Sequence, residues 1–134
     1  MPNIELALVI CKPGDDREKV VAALLKCGLS AIYCSDLQEA RTLVSGRNFR
    51  VILCSDALPG GDFQAILREV KTSLHHAPVI VLSHVDGWDS YLKALADGAF
   101  DYIVCPPNPV ETERIIWSAL TETIQTGKAA QAMA

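Results

Sequence analysis

No stretch of this chain approaches the roughly 20 unbroken apolar residues that a membrane-spanning helix requires. Residues 1 to 10 have no basic start, no long apolar segment and no small-residue cleavage site, so no secretory signal is expected. Basic charge is not in excess: the net charge of -4 offers neither nucleic acid nor an anionic membrane a general attraction, and direct binding to either is not expected. Paired cysteine spacings are also missing. The five cysteines, Cys11, Cys27, Cys34, Cys54 and Cys105, form an odd set with no CxxC or finger-like pattern, which excludes a fully paired disulfide framework. They read as reduced, mostly buried thiols of a cytoplasmic protein. No glycine-rich phosphate loop is present, because Pro59-Gly60-Gly61 reads as a turn rather than a nucleotide cradle.

What the chain does have is apolar residues, half of its 134, enough for one domain with a full core. Ile4 to Ile10 is an apolar run broken only by Glu5, the pattern of a strand covered on both faces. A helix follows, with Asp15 or Asp16 as its cap, Val20, Val21, Leu24 and Leu25 on one face, and Gly28 just past its end. Leu29 to Cys34 predicts a second strand, and a helix opened by Ser35-Asp36 buries Leu37, Ala40 and Leu43 or Val44.

Arg50 to Cys54 is the central strand. Ser55 and Asp56 stand at its tip, before the breaker Pro59-Gly60-Gly61-Asp62 and a helix from Phe63 to about Leu74. His75 and His76 then read as solvated loop residues. Val79 to Leu82 is a fully apolar fourth strand ending at Ser83-His84, and Trp88 to Ala96 is helical. Phe100 to Val104 is a fifth strand, Cys105 to Pro109 a rigid proline-rich loop, and Val110 to about Ile124 a last helix with Ile115, Ile116, Ala119 and Leu120 inward. Strand and helix alternate five times, which predicts an α/β, doubly wound parallel sheet covered on both faces. Residues 1–126 are expected to form the domain, and 127–134 a flexible tail or linker stub.

The central strand with its tip and Pro59, together with Gly98-Ala99-Phe100-Asp101-Tyr102 before Cys105-Pro106, resembles the receiver domain of response regulators, the CheY-like family. The resemblance covers nearly the whole chain. It implies a flavodoxin-like three-layer α/β/α fold with strand order 2-1-3-4-5, and a role in two-component signal transduction. It also implies a site: an acidic pair after strand one and an acceptor Asp on strand three around Mg²⁺, a hydroxyl after strand four, and a Lys after strand five.

Matched position by position, that site is depleted. Ile10, Cys11 and Lys12 stand where the acids belong, and counting back from Pro59 puts Ser55 at the acceptor position. Asp56 is one residue late, and on a regular strand it faces the other way; only a local bulge would turn it inward. Cys105 replaces the Lys. Ser83 matches the switch hydroxyl and Tyr102 the switch aromatic. The expected pocket is therefore lined by Cys11, Lys12 and Cys105, with no metal site and no cofactor. Loss of ligands, nucleophile and cation together removes the electrostatic stabilisation that phosphoryl transfer needs.

The leading expectation is a pseudo-receiver, not an enzyme, that acts through protein contacts without Mg²⁺-dependent aspartyl phosphorylation. Trp88, Tyr91 and Trp117 are its interface candidates on the face of helix four, strand five and helix five. That face would serve a histidine kinase, an output domain or self-association as a homodimer. One alternative keeps phosphorylation, at Asp56 or Ser55. Another, of a different class, is a cysteine-based redox or metal sensor, or a thiol enzyme. It has against it that the sulfurs of Cys11, Cys54 and Cys105 need not converge and that no His-acid pair marks a nucleophile.

Overall fold

A computed structural model describes residues 5–72 and 76–133. Its elements are β1 (Leu6–Ile10), α1 (Asp15–Lys26), β2 (Ser30–Cys34), α2 (Leu37–Gly46), β3 (Val51–Ser55), β4 (Ala57–Leu58), β5 (Gly61–Asp62), α3 (Phe63–Thr72), β6 (Val79–Ser83), α4 (Trp88–Ala96), β7 (Asp101–Val104) and α5 (Pro109–Met133). The five long strands pair in parallel in the order β2-β1-β3-β6-β7, which is the 2-1-3-4-5 order of the receiver fold. Ile4, Leu74 and His75, which the sequence reading placed in a strand, a helix and a loop, lie outside the described residues.

Alternation along the strands sorts the core into two layers. Val51 and Leu53 of β3 pack with Val20, Leu24, Ile115 and Ile116 of α1 and α5, while Ile52 and Cys54 pack with Leu37, Ala40, Ile66 and Val70 of α2 and α3. On α4's side of the sheet, Val81, Ala94, Ala99 and Tyr102 form a smaller third cluster. Each fully buried Leu or Ile contributes about 1.5–3 kcal/mol of apolar transfer, so the two faces of β3 anchor both helical layers.

Three local readings are corrected. Neither Asp15 nor Asp16 caps α1: Gly14 does, at a φ of 148° that only glycine adopts readily, and both acids sit within the first turn. Leu25 is exposed, because the inward stripe of α1 runs Val20, Ala23, Leu24 and Cys27. The turn expected at Pro59-Gly60-Gly61 is present and closes a short hairpin. Ala57–Leu58 and Gly61–Asp62 form a short antiparallel ladder across it, and the Asp62 carboxylate accepts from the Gln64 N–H as α3 begins. Asp36 caps α2 by accepting from the Glu39 N–H at 2.8 Å. Finally, α5 continues as helix to Met133, beyond Ile124, in a segment made largely of the helix formers Ala, Lys, Gln and Met.

Candidate functional site

In an open α/β sheet the crevice beyond the carboxyl ends of the strands is the usual ligand site. Here that crevice is a cavity of about 450 Å³ lined by the tips of β1, β3, β6 and β7 and the loops that follow them. Ser55, Cys11, Lys12 and Cys105 all line it, together with Asp16, His84 and Leu58. Its β1–β2 wall is held by Arg17, whose guanidinium donates to the carbonyls of both Cys11 and Cys34 and lies 4.8 Å over the Tyr33 ring.

Asp56 does not line this cavity. Its N–H donates to the Leu82 carbonyl at 2.9 Å, next after the Ser55–Leu82 pair of the ladder, so strand parity persists past the tip and no bulge intervenes. The carboxylate therefore faces the other side of the sheet, where the Ser83 hydroxyl donates to it at 2.6 Å. The same hydroxyl accepts from the Val85 N–H at 2.9 Å, and the Tyr102 hydroxyl donates to the Val85 carbonyl at 2.7 Å. Tyr102 is buried and meets Tyr91 edge-on at 6.3 Å, and Tyr91 stacks on Trp88 at 5.3 Å. The acceptor-position pair is thus split: Ser55 belongs to the cavity, and Asp56 to a chain of contacts running through Ser83 and Tyr102 out to α4.

The cavity's thiols are protonated at neutral pH. Burial pushes Cys105 up to about 12, helped by the charges of Asp16, Cys11 and Asp56 and opposed by a hydrogen bond from the backbone at Ser83. Cys11 is raised by burial and then by Asp16, against the lowering pull of Arg17 and Lys12. Cys54 packs in the opposite layer, with Cys34, so the three tip sulfurs do not converge.

His84 lines the mouth of the cavity, as its place beside Ser83 suggests, and meets Asp16, which the sequence offers as a helix cap or a displaced ligand. The His84 Nε2 lies 2.7 Å from the Asp16 Oδ2, and the donor atoms of Asp16, His84 and Cys105 all fall within 4.8 Å of one another. Each residue follows the end of a strand or lies in the first turn beyond it, and those positions share one crevice. The Mg²⁺ that the receiver fold implies does not fit this donor set. Mg²⁺ requires oxygen ligands in near-octahedral array. Among the described residues this cavity presents one carboxylate, at Asp16, beside the Lys12 ammonium, two thiols and an imidazole.

Of the interface candidates, Trp88 is 71% exposed and Trp117 52%, while Tyr91 is half-buried between Trp88 and Tyr102. Leu92, Val104 and Val110 are exposed with them on α4, β7 and α5.

No protein-family model matches the chain. It is similar to the response regulator protein PilR of Pseudomonas aeruginosa, with 25% identity over 114 residues, which are 85% of this chain and 26% of PilR. The chain therefore spans about a quarter of the length of that curated relative. Among solved structures it is similar to the CheY-like response regulator receiver domain protein of Methanospirillum hungatei, with a TM-score of 0.79, 17% identity, and coverage of 92% of this chain and 99% of the other. It is similar also to the receiver domain of the sensor histidine kinase PA1611 of Pseudomonas aeruginosa, solved with a magnesium ion in its active-site cleft, with a TM-score of 0.77, 20% identity, and coverage of 89% and 99%. The chain thus has the fold of CheY-like response regulator receiver domains. None of the described residues forms a helix long and apolar enough to cross a membrane.

Proposed function

We propose that this receiver domain signals through protein contacts, as part of a two-component-type pathway, without Mg²⁺-dependent aspartyl phosphorylation. The observation that carries the reading is the lining of the strand-tip cavity, where Cys11, Lys12, Ser55 and Cys105 stand at the positions of acids, acceptor and lysine. A carboxylate nucleophile and a bound hard cation are what phosphoryl transfer to a receiver would need there, and the four residues supply neither. Asp56, the carboxylate next in sequence to the acceptor position, is engaged by Ser83 on the opposite side of the sheet.

The partner surface in this reading is the face of α4, β7 and α5. Exposed Trp88, Leu92, Val104, Val110 and Trp117 give it the apolar and aromatic character favoured at interface centres. The occupant is a histidine kinase, an output domain or a second copy, and the place of action is the cytoplasm. A redox role for the cysteines is disfavoured because all five are buried, and burial raises each thiol pKa.

The test is a titration with Mg²⁺ and beryllofluoride, a mimic of the aspartyl phosphate, followed by the fluorescence of Trp88 and Trp117 and by backbone NMR shifts. No saturable change is expected at millimolar Mg²⁺. A saturable change abolished by Asp56→Asn and retained in Ser55→Ala would overturn the reading in favour of phosphorylation at Asp56.

A further inference from the structure

The cavity is a poor home for magnesium, yet its donor atoms have a chemistry of their own. A carboxylate oxygen, an imidazole nitrogen and a sulfur converge from α1, the β6–α4 loop and the β7–α5 loop, three segments far apart in the chain. Oxygen, nitrogen and sulfur in a set of three are the ligands of a borderline-soft ion that favours tetrahedral geometry and leaves a fourth position open.

We propose that Asp16, His84 and Cys105 form a binding site for Zn²⁺ or a similar borderline divalent cation at the mouth of the strand-tip cavity, with water in the fourth position. A tetrahedral zinc ion with bonds of about 2.0–2.3 Å sets its donors roughly 3.3–3.8 Å apart. The Asp16–His84 contact is now 2.7 Å and no donor pair exceeds 4.8 Å, so shifts of about one ångström on rotatable side chains bring all three to ligand distance. The exposed imidazole of His84 provides the entry side, and the buried Cys105 closes the far side. Binding replaces the Cys105 S–H bond with an S–metal bond and releases that proton to solvent; no electron is transferred. Lys12 lines the same cavity and is exposed, so its ammonium can turn to solvent as the cation enters.

The site has a structural consequence because His84 directly follows Ser83. A cation held there ties the start of α1 to the loops that flank β6 and β7, and so fixes the loop whose Val85 peptide holds both Ser83 and Tyr102.

The test uses the whole chain, reduced and freed of metal, titrated with Co²⁺ and then with Zn²⁺. Binding at a single site is expected, with a thiolate-to-cobalt charge-transfer band and the visible bands of a tetrahedral ion, both displaced by Zn²⁺. Cys105→Ser should abolish the charge-transfer band, His84→Ala should weaken Co²⁺ affinity by roughly tenfold or more, and Cys11→Ser should leave the band in place. Absence of the band at saturating Co²⁺ overturns the proposal, as does a band lost in Cys11→Ser and kept in Cys105→Ser. Should Cys105→Ser fail to fold, His84→Ala alters only an exposed side chain and decides the matter: unchanged Co²⁺ affinity sinks the site.

Discussion

The Ser83 hydroxyl donates to the Asp56 carboxylate at 2.6 Å and accepts from the Val85 N–H at 2.9 Å, so one buried oxygen joins the end of β3 to the loop that leads into α4. The Tyr102 hydroxyl reaches the carbonyl of the same Val85. Two side chains from neighbouring strands therefore hold a single residue from its two sides.

That arrangement makes Ser83 and Tyr102 energetically coupled. Ser83→Ala should destabilise by about 1.5–3 kcal/mol, since it removes a hydrogen bond to a charged group, and Tyr102→Phe by about 0.5–1.5 kcal/mol. In a double-mutant cycle by urea unfolding, the pair should depart from additivity by about 0.5 kcal/mol or more. Strict additivity would mean that the Val85 loop does not transmit between them.

Stability should fall in alkali. The Cys34 and Cys105 thiols are raised in the folded chain to about 11 and about 12, from an ordinary 9.0, with burial as the main cause in each. A folded pKa above the unfolded one means that the unfolded chain gives up its protons first as pH rises. The contribution is then whole below pH 9 and is lost progressively as pH climbs toward the folded values. Urea midpoints should be level from neutral pH to about pH 8.5 and decline beyond it, and Cys105→Ala should flatten that decline.

Trp88→Ala and Trp117→Ala should leave stability within about 0.5 kcal/mol, because both rings are largely solvated. Association is where they should act: a self-association or partner affinity measured by sedimentation or calorimetry should weaken by about 1 kcal/mol or more for at least one of them. Unchanged affinity in both variants would remove the α4–β7–α5 face from the account.

Gly61→Ala should be costly for a short surface segment. Gly61 has a φ of 154°, and a Cβ there would come within 2.6 Å of the Leu37 side chain. A loss of about 1 kcal/mol or more is expected in thermal or urea unfolding, and Leu37→Ala in the same chain should recover part of it. Gly46→Ala, which meets open space, serves as the control.

The order of the elements was legible in the sequence because apolar runs of strand length, each closed by Gly, Pro or Asp, leave few ways to cover a sheet. Val79 to Leu82 and Ile115 with Ile116 are examples: pattern alone placed them in the core, where they are buried. The edges were less legible. Gly14 took the capping role that Asp15 or Asp16 was expected to fill, since helix entry there needs a backbone angle rather than a side-chain acceptor. Least legible was the convergence of Asp16, His84 and Cys105. Their separations in sequence say nothing of distance until the parallel sheet gathers the segments that follow β1, β6 and β7 at one edge, and no local pattern encodes that. The parity at Ser55 and Asp56 needed only the period of a strand, but whether a bulge broke it could not be read from residue types. The hydrogen bond from Asp56 to Leu82 supplies that fact.

Arg17 bears on why such a depleted tip keeps its shape. Parallel strands gather their last carbonyl oxygens at one end of the sheet, and these dipoles repel one another unless something positive lies between them. In this chain the positive group is built in: one guanidinium, stacked on Tyr33, bridges the carbonyls of Cys11 and Cys34. The backbone of the crevice is thereby braced from behind, by a residue on α1 that is not among those lining the cavity. Side chains at the rim are free to change chemistry without the wall collapsing, so the shape of the tip and the chemistry of its rim are set by different residues.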